Sequence, residues 1–216
     1  IISMLCAAIA GGIITFIPGF LKVKCDANEI VTSLMLNYVA LNLGLYFIQE
    51  YFRDPEINTM YSYKFTEGAT LPNIINGTRI HAGLIIIVVL IVISYYVLNR
   101  TSFGYKSKLV GSNHKMADYS GVNSSKMILL TQVIGGMIAG LGGSVELFGM
   151  YDRFQYTDLT GYGWDGILIA IVAKNNPKLL PISGLFLAYI RVGADIMSRQ
   201  SDVPFEIVHH FVWTLY

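Results

Sequence analysis

The sequence contains few charged residues: Asp, Glu, Lys and Arg make up 13% of its 216 residues, whereas 54% are hydrophobic. A typical soluble domain carries about 25% charged residues. This composition excludes an ordinary soluble domain and favours a protein of the lipid bilayer. The net charge of +1 says little about partners, because the distribution of charge along the chain carries more information.

The sequence also lacks the patterns of common catalytic and metal sites. Its two cysteines, Cys6 and Cys25, provide no disulfide framework. There is no phosphate-binding GxxxxGK[ST] loop, no GxSxG, no HExxH and no CxxC motif. The adjacent His209 and His210 point roughly 100° apart on a helix and make a poor metal site. We therefore predict no catalytic residue, metal, cofactor or nucleic-acid partner, and any use of ATP would require another subunit.

Long apolar runs predict several membrane spans. A hydrocarbon core of about 30 Å requires about 20 apolar residues in a helix. Such runs place spans at 1–17, 29–49, 81–98, 127–148 and 180–197, with a further span beginning near Pro204. The expected fold is therefore all-α: a polytopic transmembrane helix bundle of six or seven helical segments. Because both ends of the chain lie in apolar runs, we expect one transmembrane domain over 1–216 that is part of a longer protein.

The apolar segment 163–173 is too short to cross a bilayer unaided, and the helix-breaking sequence KNNPKLLP follows it. It is a candidate half-helix or re-entrant segment lining a cavity. The alternative is a full span whose outer end, from about Asp158, is polar because it faces protein.

Basic residues predict the orientation. If the spans alternate, the connections 18–29, 99–126 and 174–178 fall on one side with nine Lys and Arg residues, and the other side carries the remaining six. The positive-inside rule places the richer side in the cytoplasm. We therefore expect 99–126 to be a cytoplasmic loop and 53–80 to be an extracellular loop.

Small residues recur at four-residue spacing in two predicted spans. Small side chains let helix backbones approach closely in lipid, where no hydrophobic force drives helices together. The pattern favours a multi-helix bundle over a single anchor. Its rows are Gly135/Ala139/Gly143 and Gly136/Gly140/Ser144 in one span, and Ala7/Gly11 and Ala8/Gly12 in the other.

Polar side chains in or beside the spans are candidates for a solute path. An ionisable group at membrane depth is costly and usually faces the bundle interior or water. Arg191 and Asp195 lie four residues apart, so a local ion pair is the simpler interpretation of both. For Glu146, an interfacial residue or a packing partner is the simpler interpretation. The full set is Asn37, Asn42, Gln132, Glu146, Asp165, Arg191, Asp195 and the His209–His210 pair.

Within the basic loop, Gly111 and Gly121 interrupt stretches that can form helix. Ser112 or Asn113 can cap a short helix over 114–120. Such a helix is a plausible rigid contact for a partner. The alternative is a basic loop that only sets topology or meets anionic lipid.

Three blocks, in order, resemble a known family: FIPGFLKVKCDANEIVTSLMLNYVA (16–40), the stretch 101–149 with its TSFG opening and Gly/Ala-rich helix, and GYGWDGILIAIVAKNNP (161–177). They resemble permease subunits of bacterial ATP-binding-cassette (ABC) importers for nucleosides and simple sugars, within the branched-chain amino acid and ribose permease family. Ribose-type permeases carry a Gly-Gly-rich turn where this chain has KNNP (174–177), which favours the nucleoside branch.

The resemblance implies a multi-pass protein of the bacterial plasma membrane with several partners. These are two cytosolic ATPase subunits, a second permease subunit (identical or paralogous), an external lipid-anchored binding protein, a small-molecule solute and membrane lipid. It implies that 99–126 couples to the ATPase through Gly104, Gly111, Asn113, Ala117 and Gly121. For the solute path we predict Asn37, Tyr38, Glu146, Trp164 and Asp165, with Tyr38 and Trp164 able to stack on a base.

Two other classes stay open. An ion-coupled secondary transporter would use segment 163–173, with Glu146 and Asp165 as proton or ion sites. A membrane scaffold or receptor would transport nothing. Within the ABC class, a riboflavin-type or amino-acid-type permease is a further alternative.

Overall fold

The described part of the chain is helical. The computed structural model describes residues 2–53, 61–65, 70–72, 74 and 81–200, with the side chains of 198–200 excepted. These residues contain no β-strand, which confirms the all-α prediction. The helices are α1 (Ile2–Cys25), α2 (Glu29–Phe47), a π-helix (Ile48–Phe52), α3 (Gly83–Arg100), α4 (Ser102–Ser112), α5 (His114–Tyr119), α6 (Ser124–Met150), α7 (Tyr162–Val172) and α8 (Leu180–Gln200).

Five helical stretches of the described chain are long and apolar enough to cross a membrane, which confirms the five spans predicted before residue 198. The span predicted near Pro204 lies outside the described residues, as do His209 and His210. The five stretches are Ile2–Cys25, Glu29–Phe52, Gly83–Arg100, Ser124–Met150 and Leu180–Met197.

Helix α7 contains only 11 residues, which corresponds to about 16 Å of helix. The backbone from Tyr151 to Gly161 is not helical, and Gly161 precedes α7 with a left-handed φ of 76°. The segment is therefore a short helix, and no helix begins near Asp158. Whether the segment is re-entrant or crosses the membrane stays a prediction.

The prediction that residue 18 begins a connecting loop is also wrong, because α1 continues to Cys25 with Pro18 inside it. A proline removes one backbone donor from a helix. Pro18 is fully buried in the packed part of the helix, so packing offsets that loss. The chain turns only at Asp26, whose φ is 49°. Asn28 then caps α2 by accepting the Ile30 N–H at 2.9 Å.

The closest helix packing in the described chain joins α1 to α6. A Cβ atom added at Gly136 would lie 2.7 Å from the Gly11 carbonyl oxygen, and one added at Gly140 would lie 3.0 Å from the Ala7 carbonyl carbon. Ala8 is buried at the same contact. One small-residue row of α6 therefore faces the small residues of α1, as the spacing predicted. On the other row, a Cβ added at Gly135 or Gly143 would meet no described atom within 4 Å.

The chain divides into two compact units. Helices α1 to α6 belong to residues Ile1–Thr160, and α7 and α8 belong to Gly161–Tyr216. Within the second unit α7 packs against α8. Lys174 and Asn175, with φ of 52° and 55°, lie in the turn that reverses the chain between them.

We predict that Gly136→Val destabilises the protein and that the neighbouring Gly135→Val does not. The valine at 136 would collide with the α1 backbone, and such overpacking costs about 1–3 kcal/mol. Both variants place the same side chain in the same helix, so intrinsic helix propensity cancels in the comparison. Thermal unfolding of the detergent-solubilised protein measures the difference. Equal midpoints for the two variants would contradict the α1–α6 contact.

Candidate functional site

The basic segment predicted as a loop is two short helices joined by tight turns. Thr101 begins α4: its hydroxyl accepts the Gly104 N–H at 3.3 Å and donates to the Val97 carbonyl at 2.6 Å. A Cβ atom at Gly104 would collide with the backbone of Leu98. Gly104 therefore permits the close turn between α3 and α4, which is a structural role.

Helix α5 (His114–Tyr119) confirms the short helix predicted over 114–120, one residue shorter. Asn113 is its cap, as predicted: the side-chain oxygen accepts the Met116 N–H at 3.1 Å. Gly121 follows it with φ of 78°. The prediction that Gly111 interrupts a helix is wrong, because Gly111 lies inside α4. One glycine costs about 1 kcal/mol relative to alanine, and the extended backbone of Asn113 is what ends α4.

An apolar cluster and two hydrogen bonds fix α5 against α6. Val110 of α4, Ala117 of α5 and Met127 of α6 form a buried cluster in which Ala117 is fully buried. The Ser124 hydroxyl donates to the His114 carbonyl at 3.2 Å. The Ser124 N–H donates to the Asp118 carboxylate at 3.1 Å. The α4–α5 pair is therefore a rigid extension of the long helix α6.

The Asp118 carboxylate is stabilised in its charged form. Hydrogen bonds from the hydroxyl and N–H groups of Ser124 lower the pKa of Asp118 below its ordinary value, and the charge of His114 acts in the same direction. A carboxylate whose pKa is lower in the folded state than in the unfolded chain stabilises the fold at pH values above its unfolded pKa. This stabilisation is lost as the pH falls and the carboxylate becomes protonated. At neutral pH the α5–α6 turn is therefore in its stabilised state.

The outer surface of α4 and α5 combines exposed apolar and basic side chains. Tyr119 is 92% exposed, and Tyr105 and Met116 also face outward. Lys106 and Lys115 are exposed nearby. Large exposed apolar side chains beside charged ones are typical of a protein contact surface.

The five predicted coupling residues occupy different environments. Gly104 and Ala117 are buried and serve packing, whereas Gly111, Asn113 and Gly121 are exposed. A Cβ atom at Gly111 would meet no described atom within 4 Å. A substitution at Gly111 therefore changes the surface without disturbing the cluster below it.

Glu146, predicted for the solute path, is engaged by the segment after α6. The Tyr156 hydroxyl donates to Glu146 Oε1 at 3.0 Å. The Tyr156 ring meets the rings of Tyr151 and Phe154 edge-on, with centroids 5.3 and 5.6 Å away. Burial raises the pKa of the Tyr156 phenol, and hydrogen bonds with Tyr151 and Glu146 raise it further. Tyr156 is therefore a neutral donor, and Glu146 holds this segment against α6.

Part of the predicted extracellular loop pairs with the same segment. The Ser62 N–H donates to the Phe154 carbonyl at 3.2 Å, and the Phe65 N–H donates to the Asp152 carbonyl at 2.8 Å. The Phe65 ring also meets Phe148 of α6 edge-on at 5.2 Å. Residues 61–65 therefore lie against the end of α6 that is remote from α5.

Asp165, another predicted path residue, forms an ion pair. It lies in the first turn of α7, and its carboxylate is bound by the Arg191 guanidinium of α8. The Tyr162 ring lies 5.9 Å from the guanidinium carbon. The simpler interpretation from sequence paired Arg191 with Asp195, whereas the structure pairs Arg191 with Asp165. The antiparallel course of α7 and α8 brings these side chains together across 26 positions of sequence.

The remaining predicted path residues lie on α2 and α7. Asn37 and Tyr38 are exposed on α2, and no residue of α2 is buried within the described chain. Trp164 is 45% exposed on α7. The sequence analysis did not select Tyr156, which contacts Glu146, or Tyr162, which lies beside Arg191. For the second of these, the positive charge of Arg191 in the span after the short segment was an available signal that Asp165 has a partner there.

Comparison with known proteins identifies the family. The family described as "Branched-chain amino acid transport system / permease component" matches residues 1–211. The glucose ABC transporter permease protein TsgB13 of Haloferax volcanii is 33% identical over 96% of this chain and 57% of its own length. The guanosine ABC transporter permease protein NupP of Bacillus subtilis is 30% identical over 96% of this chain and 60% of its own length.

A third relative, the nucleoside ABC transporter permease protein NupB of Lactococcus lactis, is 28% identical over 92% of this chain and 57% of its own length. The chain thus spans less than two thirds of the length of these relatives. No solved structure matches it. These matches confirm the resemblance carried by the three sequence blocks: the chain belongs to the branched-chain amino acid transport system permease family.

Proposed function

We propose that this chain is the membrane-spanning permease subunit of an ABC importer for a nucleoside or a simple sugar. The observation that carries the proposal is the family match over residues 1–211. Two relatives at 30% identity or more are named as glucose and guanosine ABC transporter permeases. Five helical stretches that can span a membrane agree with a subunit that forms a translocation path.

ATP hydrolysis belongs to a partner subunit in this proposal, because the sequence has no phosphate-binding loop. Two cytosolic ATPase subunits, a second permease subunit and an external solute-binding protein complete the importer. The 99–126 segment lies in the cytoplasm, since nine of the 15 Lys and Arg residues fall on its side of the predicted topology.

The α4–α5 pair is the element that meets the ATPase. Two properties support this role. Its outer surface carries Tyr105, Met116 and Tyr119 beside lysines. Its inner surface is fixed to α6 by the Val110–Ala117–Met127 cluster, so a displacement applied to α5 passes to a spanning helix instead of being absorbed in a flexible loop. ATP-driven closure of the ATPase pair would then reorient the bundle and expose the solute path alternately to each side.

The structure supports some of the five predicted path residues as solute contacts better than others. Asp165 and Trp164 lie at the start of the short helix α7, and Asp165 borders a cavity. Glu146 is already bound by Tyr156. Asn37 and Tyr38 are exposed on a helix with no buried residue among those described, so they would contact solute only through a surface that this helix shares with a neighbour.

We predict that Gly111→Glu uncouples ATP hydrolysis from import. The new carboxylate lowers the positive charge of the exposed α4–α5 surface and enters open space, so folding and membrane insertion stay normal. We expect transport in the complete importer to fall about tenfold, which corresponds to roughly 1.4 kcal/mol of lost contact. Solute uptake and solute-stimulated ATPase activity in proteoliposomes measure the effect.

The control for this prediction is Thr157→Glu, which adds the same side chain at an exposed position on the other predicted side of the membrane. We expect it to transport normally. If Gly111→Glu transports as well as Thr157→Glu, the α4–α5 surface is not the ATPase contact. Ala117→Glu is not informative, because Ala117 is fully buried and its variant would unfold the cluster.

The energy source separates an ABC importer from an ion-coupled transporter. We predict that uptake in cells carrying the complete importer stops when ATP is depleted and persists when the proton gradient is collapsed. The assay uses labelled guanosine, glucose and riboflavin in parallel. Uptake that follows the proton gradient instead of ATP would overturn the proposed function. Riboflavin uptake without guanosine or glucose uptake would overturn the solute class.

A further inference from the structure

We propose that the cavity between α7 and α8 is a binding subsite for an uncharged, hydroxyl-bearing ring, the ribose of a nucleoside or the ring of a simple sugar. Arg191 and Asp165 are its polar contacts. The proposal rests on the proposed function and names the groups that would hold the solute. The α7–α8 cavity is lined by Tyr162, Asp165, Gly166, Gly184, Leu187 and Arg191, among others.

The size of the α7–α8 cavity limits what it can hold. Its volume is about 290 Å³, at the lower end of the range of about 300–1,000 Å³ that is usual for small-molecule sites. It therefore suits a single ring and not an extended molecule. Both polar groups are accessible from it, since the side chains of Arg191 and Asp165 are 48% and 23% exposed.

The paired charges select for uncharged solutes. A guanidinium has five N–H donors and a carboxylate accepts at two oxygens, so each group keeps capacity beyond the bond they share. Adjacent hydroxyls on a sugar ring both donate and accept hydrogen bonds, and the pair offers both functions side by side. Because the pair carries no net charge, it offers neither an anion nor a cation a net electrostatic attraction. A neutral polyol can use both partners through hydrogen bonds alone.

The remaining walls fit the same ring. The Tyr162 ring lies 5.9 Å from the Arg191 guanidinium carbon and provides an aromatic face for the apolar C–H side of a sugar. Leu187 adds an apolar surface on α8. A Cβ atom at Gly166 or Gly184 would meet no described atom within 4 Å. These two glycines therefore leave open the space that the solute would occupy.

The placement of the ion pair argues against packing as its only purpose. Arg191 lies within the apolar stretch Leu180–Met197, and ionisable side chains inside membrane spans are rare, costly and usually functional. Two well-packed apolar side chains can hold helices together as well as an ion pair does. A charged pair that borders a cavity in such a stretch is more useful as a polar contact for a solute.

The first test fills the cavity without touching the ion pair. Gly184→Leu places a side chain in the cavity, and Gly193→Leu is the matched control on the same helix, at a position that is equally open and does not line the cavity. The complete importer is reconstituted in proteoliposomes with its binding protein and assayed with labelled guanosine and labelled glucose. We expect Gly184→Leu to raise KM at least tenfold and Gly193→Leu to leave it within twofold, with equal thermal midpoints.

The second test asks whether the Arg191–Asp165 pair binds the hydroxyl groups of the solute. Asp165→Asn keeps the shape of the side chain and a hydrogen bond to Arg191, so the hairpin stays folded. The wild type should prefer guanosine to 2′,3′-dideoxyguanosine, or glucose to a deoxyglucose, at least tenfold in kcat/KM. In Asp165→Asn that ratio should fall below the wild-type value, because the solute-binding protein is the same in both assays and its own preference cancels in the comparison. A purely structural role for the pair would lower transport of both solutes and leave the ratio unchanged.

The outcomes separate this proposal from the proposed function. If the wild-type importer takes up neither guanosine nor glucose with ATP, the proposed function fails and the subsite fails with it. If uptake is normal but Gly184→Leu behaves like Gly193→Leu, or the hydroxyl preference is unchanged in Asp165→Asn, only the subsite is overturned.

Discussion

The close approach of the α1 and α6 backbones is the contact on which the first unit depends. Gly11 faces Gly136, and Ala7 faces Gly140, at distances that leave no room for a Cβ atom. In lipid there is no hydrophobic force to bring two helices together, so this fit of backbone against backbone supplies the attraction. Helix α6, with 27 residues, is about 40 Å long. Because the α1 contact fixes α6, it also fixes the positions of α5 at one end of α6 and of the Tyr156 segment at the other.

Each end of α6 carries a different polar arrangement. At the N-terminal end, Ser124 and Met127 fix α5 through the Asp118 carboxylate and the buried Ala117. At the C-terminal end, Glu146 holds Tyr156, and the segment around it pairs with residues 61–65. One long helix therefore joins the exposed α4–α5 surface, which we propose as the ATPase contact, to the opposite end of the first unit. The second unit contributes a separate arrangement, the Arg191–Asp165 pair beside its cavity.

Much of the fold could be predicted from the sequence, because it depends on local patterns. The lengths of the apolar runs predicted the five spans, and the four-residue spacing predicted the rows of small residues. The side chain of Asn113 predicted the cap of α5. Two of the failures required knowledge of tertiary packing. The span predicted to end at residue 17 continues through Pro18, whose burial offsets the lost backbone donor, and one exposed glycine at 111 costs too little to interrupt α4. Asp195 is nearer to Arg191 in sequence than Asp165 is. Asp165 becomes the partner of Arg191 only because the chain reverses between α7 and α8.

A crosslink between α5 and the ATPase subunit would test most directly whether the α4–α5 pair contacts the ATPase. Tyr119→Cys places a thiol at a position of α5 that is 92% exposed, in a background where Cys6 and Cys25, both exposed, are replaced by serine. In membranes carrying the complete importer, we expect a crosslink from residue 119 to the ATPase whose yield changes when ATP is added, and none from Thr157→Cys. A crosslink to the ATPase from residue 157 and none from residue 119 would contradict this expectation.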